Sequence, residues 1–166
     1  MASMNDTIVD AFEFCRLGEQ RSGVTPVAAL ARVRAEAADA GGEIRWSFSG
    51  GRHSKGFPQL VMQVDGDVGL ICQRCLSPFR HPVASEMVLV LGRNEADADE
   101  VEEALDDESI DVIVGSTAQD LVQLVEDEVL LSLPQSPRHE ICPGEAPSLP
   151  VDKPESPFAV LKKFNS

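Results

Sequence analysis

The sequence predicts an α+β domain in which two main helices pack on an antiparallel sheet of about five or six strands. Three observations predict this fold. From residue 44 to residue 91, strand patterns follow one another with only short turns between them, which favours antiparallel pairing. Helical patterns are confined to 28–40 and 117–133. The length suits one domain, predicted over 1–142, followed by an extended, partly disordered, proline-rich tail over 143–166.

The first forty residues are predicted to contain one strand and one helix. Apolar side chains predict a short strand near 8–15, and Arg-Ser-Gly at 21–23 predicts a turn. Thr25 and Pro26 fit the cap and the first position of a helix. That helix is predicted over 28–40, where alanine dominates, and the glycine pair that follows provides the stop.

The middle of the chain is predicted to consist mainly of strands. Apolar and polar side chains alternate in several segments, which are 44–48, 60–64, 68–72, 83–91 and 110–114. The Asp-Gly-Asp sequence at 65–67 predicts a hairpin turn. Residues 49–56 are predicted to form a flexible loop, which carries the basic cluster Arg52, His53 and Lys55.

Residues 94–109 interrupt the strand pattern with a run of like charge. We expect a mobile acidic loop here, with a helical turn around 101–105. The simplest interpretation is a solvated insertion, and a protein-binding role is the alternative.

The helix predicted over 117–133 is the clearest single element. Leucines and valines repeat there at helical spacing, which is typical of a helix that packs on a core. Ser116 and Gln119 fit a capping box at its start, and Thr117 offers a second cap one residue later. Pro134 lacks an amide proton and is expected to end the helix before it.

The net charge of −14 is unevenly distributed along the chain. Residues 1–93 carry ten Lys/Arg and ten Asp/Glu, whereas residues 94–166 carry four and eighteen. The whole excess of negative charge therefore lies in residues 94–166. An acidic surface repels phosphate backbones and attracts basic partners, a class that includes ribosomal proteins.

The composition predicts a cytoplasmic protein without membrane contact. The chain has no apolar run of about 18 residues, and its first residues lack the basic segment and apolar core of a secretory signal. In a reducing compartment, four cysteines favour metal or redox chemistry over structural disulfides.

Two pairs of side chains predict a metal site. Cys72-x-x-Cys75 can present two sulfurs to one ion, and His139-x-x-Cys142 can supply the other two ligands. Together they would form a Cys3His set that holds one structural zinc ion. The alternatives are a redox dithiol, which would need the C-x-x-C at the start of a helix, and unperturbed buried thiols. Cys15 is interpreted as a small buried hydrophobe.

The sequence offers no arrangement typical of catalysis. A Ser/His/Asp set, a phosphate loop and a defined carboxylate–histidine pair are all missing from it. We therefore expect a protein that is not an enzyme and has no small-molecule substrate.

Three stretches together resemble the bacterial YceD family, the large ribosomal RNA subunit accumulation proteins. They are ICQRCLSPF at 71–79, VEDEVLLSLPQSPRHEIC at 125–142 and PFAVLKK at 157–163, in the order and spacing of the family. The resemblance implies a cytosolic bacterial protein that is needed for 23S ribosomal RNA to accumulate. It implies a role in large-subunit assembly or in stabilising precursor RNA. Genes of the family commonly neighbour that of a small zinc-ribbon protein of the large subunit, which points to a protein partner.

The resemblance also assigns individual positions. Cys72 and Cys75 match the thiol pair of the family, Glu126 and Asp127 match its acidic helix motif, and His139 and Cys142 match its post-helix loop. The chain departs from the family pattern at 135–136, where Gln-Ser replaces an apolar pair, and in its short His-to-Cys spacing.

The leading hypothesis is a ribosome biogenesis factor that binds a basic large-subunit ribosomal protein, 23S or precursor ribosomal RNA, or both. The residues predicted to face RNA are basic residues from the part of the chain without net charge, residues 1–93. They are Arg32, Arg34, Arg52, Lys55 and Arg74. The alternatives are a direct RNA-binding protein, an acidic chaperone that shields a ribosomal protein without touching RNA, and a C-x-x-C redox protein.

Overall fold

The structure is a computed structural model that describes residues 7–144. Within this range the chain forms an α+β fold, as predicted, built on a five-stranded sheet and a two-stranded ribbon. Apart from Pro143 and Gly144, the predicted tail lies outside the described residues. The prediction of a single domain over 1–142 stays a prediction.

Twelve short elements make up the described chain. The strands are β1 (Ile8–Val9), β2 (Gln20–Pro26), β3 (Glu43–Arg52), β4 (Pro58–Ile71), β5 (Pro78–Gly92), β6 (Ile110–Val114) and β7 (Gln119–Asp120). The helices are α1 (Ala11–Leu17), α2 (Ala31–Glu36), α3 (Glu95–Leu105) and α4 (Leu121–Ser132), with a 3-10 turn at Val27–Ala29. No helix within 7–144 is long and apolar enough to cross a membrane.

The sheet is mixed, so the prediction of a purely antiparallel sheet is wrong at one edge. Its strand order is β2-β3-β4-β5-β6. Strands β2 to β5 pair antiparallel, but β5 and β6 pair parallel. Helix α3 is the reason, because the chain crosses through it after β5 and returns in the same direction as β5.

The two faces of β5 are covered by different helices. Leu89 and Leu91 belong to the main core, which also contains the buried apolar residues of α1 and α4. Val90 belongs to a second cluster with Val101 and Leu105 of α3. Successive side chains of a strand point to opposite faces, so α3 covers the face opposite to α4.

Strands β4 and β5 form one long hairpin, and the predicted turn at 65–67 is wrong. The pairing runs without interruption through Gly66, so the strands predicted at 60–64 and 68–72 are one strand. A Cβ at Gly66 would lie 2.3 Å from the carbonyl oxygen of Glu43 on the neighbouring strand. Close approach of that backbone, and not a turn, requires glycine here.

The first predicted strand is wrong for most of its length. Only Ile8–Val9 forms a strand, Asp10 is the capping residue of α1, and residues 11–15 lie in α1. Asp10 caps this helix by accepting hydrogen bonds from two amides of its first turn. Ala11, Phe14 and Cys15 are buried on one face, and this helical spacing, together with the Asp10 cap, was the signal for a helix.

The helix predicted in the first forty residues is also largely wrong. Residues 21–23, predicted as a turn, lie within β2. Of the helix predicted over 28–40, only α2, with six residues, is formed. Thr25, predicted as its cap, instead accepts a hydrogen bond from the indole of Trp46 at 3.0 Å. Leu30 occupies the capping position of α2 and provides no side-chain hydrogen bond.

The acidic segment is helical, so the predicted mobile loop over 94–109 is wrong. Asn94 caps α3 by accepting a hydrogen bond from an amide of its first turn. Ala98, Val101 and Leu105 are buried, whereas most of the carboxylates face solvent. The burial of one apolar stripe therefore stabilises a helix whose composition is dominated by like charge. The predicted helical turn is the last turn of α3.

Lys55 stabilises the C-terminal end of α3. Its ammonium group donates to the carbonyl oxygens of Ala104 at 2.5 Å and Leu105 at 3.2 Å, where the helix dipole is negative.

A Lys55→Met variant is expected to lower the free energy of unfolding by about 0.5–1 kcal/mol, as measured by urea denaturation. Arg52→Met removes a neighbouring exposed cation and is the matched control. Equal losses in both variants would contradict a capping role for Lys55.

Helix α4 crosses the main core. Leu121, Val125 and Val129 are fully buried on one face, which confirms the predicted core-packing stripe. The helix ends at Ser132, before Pro134, as predicted. Its start is later than predicted, because the capping side chain is Asp120 rather than Ser116 or Thr117; Asp120 accepts hydrogen bonds from the amides of Val122 and Gln123.

Candidate metal centre

Two loops meet at one end of the long hairpin. The thiol turn, residues 72–77, joins β4 to β5, and the post-helix loop, residues 133–142, follows α4. The amide of Gln73 donates to the carbonyl oxygen of Pro137 at 2.8 Å. This backbone hydrogen bond joins the two loops, which lie far apart in the sequence.

The thiol turn is closed by its own backbone. The amide of Cys72 donates to the carbonyl oxygen of Ser77 at 3.0 Å, and that of Leu76 donates to the carbonyl oxygen of Cys72 at 2.9 Å. Leu76 takes a left-handed conformation with φ 59°, which is costly for a side chain of this shape. Despite this strain, the turn presents both cysteine sulfurs to the post-helix loop.

The four predicted ligands converge on one point. The Sγ atoms of Cys72 and Cys142 are 3.8 Å apart, and Sγ of Cys75 is 3.3 Å from Nδ1 of His139. All four ligand atoms lie within 4.8 Å of one another. The two loops therefore assemble the Cys3His set whose spacing suggested a metal site.

Two of these separations are close to those in a tetrahedral zinc site. Zinc–sulfur bonds of about 2.3 Å place two sulfurs of a tetrahedron about 3.8 Å apart, and a sulfur and a nitrogen about 3.6 Å apart. The Cys72–Cys142 distance of 3.8 Å matches the first value, and the Cys75–His139 distance of 3.3 Å is near the second. Three sulfurs and an imidazole also suit zinc better than calcium or magnesium, which prefer oxygen.

The electrostatics of the cluster differ from thiol to thiol. Burial opposes ionisation of Cys72, but hydrogen bonds from the amides of Cys75, His139 and Arg74 outweigh it and lower the pKa of Cys72 to about 5. Burial, together with the neighbouring sulfurs of Cys75 and Cys72, raises the pKa of Cys142 to about 11. A cation between these sulfurs would stabilise the thiolate form of all three.

The cluster is enclosed by protein. Cys72 and Cys142 are buried, and Cys75 and His139 are half-buried. The ring of Phe79 lies against the imidazole of His139, with 4.8 Å between centroids. Four protein ligands would complete a tetrahedral shell and leave no position for a substrate, which is typical of structural zinc and not of catalytic zinc.

The position of the C-x-x-C segment favours metal over redox chemistry. The lowered pKa of Cys72 suits either chemistry. However, Cys72 and Cys75 lie in a hairpin turn, whereas a redox pair is activated at the start of a helix. The contacts with His139 and Cys142 have no part in a two-thiol mechanism.

The residues predicted to face RNA are spread over several elements. Arg32 and Arg34 lie on α2, Arg52 ends β3, Lys55 lies in the loop after it, and Arg74 lies in the thiol turn. Arg32 is bound to two carboxylates of α4, and Lys55 is bound to the end of α3. Arg52 is exposed and has no side-chain partner within the described range. Their contact with RNA stays a prediction.

Sequence reasoning missed the structural role of Glu126. Its carboxylate accepts hydrogen bonds from the amides of Arg32 at 2.6 Å and Val33 at 3.3 Å. It also pairs with the guanidinium of Arg32 at 3.1 Å. Glu126 of α4 therefore caps α2 from outside. The structure places Leu30 at the capping position of α2, where it provides no side-chain cap, and no local sequence pattern pointed to Glu126.

The part of the chain from β4 onward matches one known family. The family model described as Large ribosomal RNA subunit accumulation protein YceD covers residues 60–165, which include the thiol turn, α4 and the post-helix loop. The chain belongs to the YceD family. This match confirms the resemblance seen in the sequence motifs, and the family name connects the chain with accumulation of large-subunit ribosomal RNA. No solved structure matches the chain.

Proposed function

We propose that this YceD family protein is a cytoplasmic, non-enzymatic ribosome biogenesis factor that supports accumulation of 23S ribosomal RNA and assembly of the large subunit. The family match over residues 60–165 carries this proposal. The enclosed four-ligand cluster supports a binding role rather than a catalytic one, because a complete ligand shell suits a structural metal.

Zinc is the metal proposed for the cluster. Cys72 and Cys75 of the thiol turn would hold it together with His139 and Cys142 of the post-helix loop. When bound, zinc would supply bonds that join these loops much more strongly than the single hydrogen bond from Gln73. The C-terminal end of α4 would then be fixed relative to the sheet, and the surface around it would be rigid.

Zinc uptake at neutral pH is expected to release protons. The pKa of Cys142 is raised to about 11 by burial and by the neighbouring sulfurs, so this thiol holds its proton until a cation is bound. Proton release can be followed with a pH indicator when zinc is added to the metal-free chain in weak buffer. A Cys142→Ala variant is expected to release fewer protons, and unchanged release would contradict coordination by Cys142.

The acidic helix is the proposed contact for a basic ribosomal protein. Five carboxylates of α3 are exposed, those of Glu95, Asp99, Glu100, Glu102 and Glu103. Such a surface repels RNA phosphates and attracts clusters of lysine and arginine. RNA, where it is bound directly, would contact exposed basic side chains outside α3, such as those of Arg52 and Arg74.

The role in RNA accumulation can be tested in a strain that lacks the gene. The ratio of 23S to 16S ribosomal RNA is expected to fall in that strain and to recover when the wild-type chain is supplied. The Cys72→Ser chain, tested beside Cys15→Ser at matched protein levels, is expected not to restore it. An unchanged ratio in the deletion strain would overturn the proposal.

The acidic chaperone is the second candidate, favoured by the exposed carboxylates of α3. Binding of purified large-subunit proteins and of 23S RNA fragments can be compared for two variants. Glu100→Lys with Glu103→Lys reverses charge on α3, and Arg52→Glu reverses it elsewhere. A chaperone loses protein binding in the first variant and binds no RNA, whereas a direct RNA-binding protein loses salt-sensitive RNA binding in the second.

A further inference from the structure

An apolar groove of about 300 Å³ lies between α4 and β6, at the parallel edge of the sheet. Met62 and Leu89 are buried and line it, and Leu124 and Ile113 are half-buried lining residues. Leu131 of α4 also lines it, although this residue is 79% exposed. A large apolar residue left open beside an apolar groove is typical of a docking surface.

Carboxylates line the same groove. Glu102 comes from α3, Asp111 from β6, and Asp127 and Glu128 from α4. Asp127 is bound to Arg32 at 2.6 Å, whereas Glu102 and Asp111 form no ion pair within residues 7–144. The occupant that fits this groove is therefore a short segment with several large apolar side chains and adjacent positive charge.

We propose that the chain's own C-terminal segment, residues 157–164, binds this groove. Its sequence is Pro-Phe-Ala-Val-Leu-Lys-Lys-Phe, in which Phe158, Val160, Leu161 and Phe164 supply apolar side chains. Lys162 and Lys163 are half of the four Lys/Arg in residues 94–166, and they would face Glu102 and Asp111. The segment lies outside the described residues, and the match is one of composition and charge.

The linker is long enough for the segment to reach the groove. The described chain ends beside the thiol turn, because Cys142 contacts Cys72. From Pro78, at the end of that turn, to Met87, which lines the groove, β5 spans about 30 Å at about 3.3 Å per residue. The proline-rich residues between Gly144 and Phe158 can span about 43 Å at about 3.1 Å per residue.

Covalent attachment favours this occupant over a second copy or a partner protein. A tethered segment has an effective concentration of about 1 mM or more when its linker spans the distance. Binding would also cover the exposed side of Leu131. The inference goes beyond the proposed function, and its failure would leave the role in ribosome biogenesis unchanged.

Competition in full-length chains tests the proposal directly. A fluorescent synthetic peptide of residues 155–166 is titrated into the wild-type chain and into a Leu161→Asp chain, with anisotropy as the readout. The variant should bind the peptide at least about tenfold more tightly, because its own segment no longer occupies the groove. Leu149→Asp makes the same change within the linker and should behave as wild type. Adding Leu131→Asp to Leu161→Asp should remove the gain.

Hydrogen exchange of the same chains provides an independent readout. Amides of β6 and of the last turns of α4 should exchange faster in Leu161→Asp than in wild type or Leu149→Asp, at all protein concentrations. Equal peptide affinity for wild type and Leu161→Asp, or no binding to either, would overturn the proposal. Protection that grows with protein concentration would assign the groove to a second copy of the chain. Protection that is unchanged in Leu161→Asp would assign the groove to another partner. Either result would overturn the proposal.

Discussion

The wild-type chain is expected to bind about one zinc ion, and a Cys72→Ser variant is expected to lose it. Cys72 lies at the centre of the cluster, since its sulfur is 3.8 Å from that of Cys142 and accepts hydrogen bonds from the amides of Arg74 and His139. A serine hydroxyl stays protonated at neutral pH and is a poor zinc ligand, so the remaining three ligands should not retain the ion. Metal analysis of native, untagged protein measures this.

The same variant should lose much of the stability of the chain. Zinc that binds only the folded chain stabilises it by about 4 kcal/mol when free zinc exceeds the dissociation constant about 1,000-fold. A comparable fall in the free energy of unfolding is expected for Cys72→Ser at fixed free zinc, and also for the wild-type chain after chelation. In the presence of chelator, wild type and Cys72→Ser should therefore differ little.

Cys15→Ser is the matched control for this prediction. Cys15 is buried like Cys72, but its thiol donates to the carbonyl oxygen of Gln59 at 3.1 Å, and Cys15 is not part of the ligand cluster. A serine hydroxyl can make the same hydrogen bond, so zinc content should stay at the wild-type level. Zinc loss in both variants would point to unfolding rather than to a missing ligand, and full zinc content in Cys72→Ser would contradict the proposed centre.

The Cys3His cluster could be predicted from the sequence because the pattern that points to it is local. Each of its two pairs has a short spacing, and cysteine and histidine have few other roles in such a pattern. The strands at 44–48 and 83–91 were predicted for the same reason, since alternation is a property of neighbouring residues.

Where the sequence misled, a distant contact outweighed the local signal. Residues 65–67 have the composition of a turn, yet they lie mid-strand because two further strands pair with them. The carboxylates of 94–109 suggested a loop, but burial of Val101 and Leu105 against β5 and β6 stabilises a helix. In both cases the conformation is decided by contacts with strands that are distant in the sequence. The periodicity of the segment itself carries no information about such contacts.

The contact between α4 and α2 is such a case, and its removal gives the second large effect. A Glu126→Ala variant is expected to lower the free energy of unfolding by about 2–3 kcal/mol. It would leave the amides of Arg32 and Val33 without their acceptor, and it would remove the only side-chain cap that α2 has within the described chain, because Leu30 provides none. Urea denaturation measures this loss, and the dependence of the unfolding free energy on urea concentration should stay unchanged.

Neighbouring substitutions separate the cap from the surface charge. Glu126 has only 13% of its side chain exposed, whereas Asp127, which pairs with the same Arg32, has 46% exposed. Asp127→Ala removes only an exposed ion pair and should have a much smaller effect. Glu126→Gln keeps one acceptor oxygen for the two amides and should lose less than Glu126→Ala. Equal losses for Glu126→Ala and Asp127→Ala would show that Glu126 acts as a surface charge, and that α2 is held to α4 by the burial of Val33 alone.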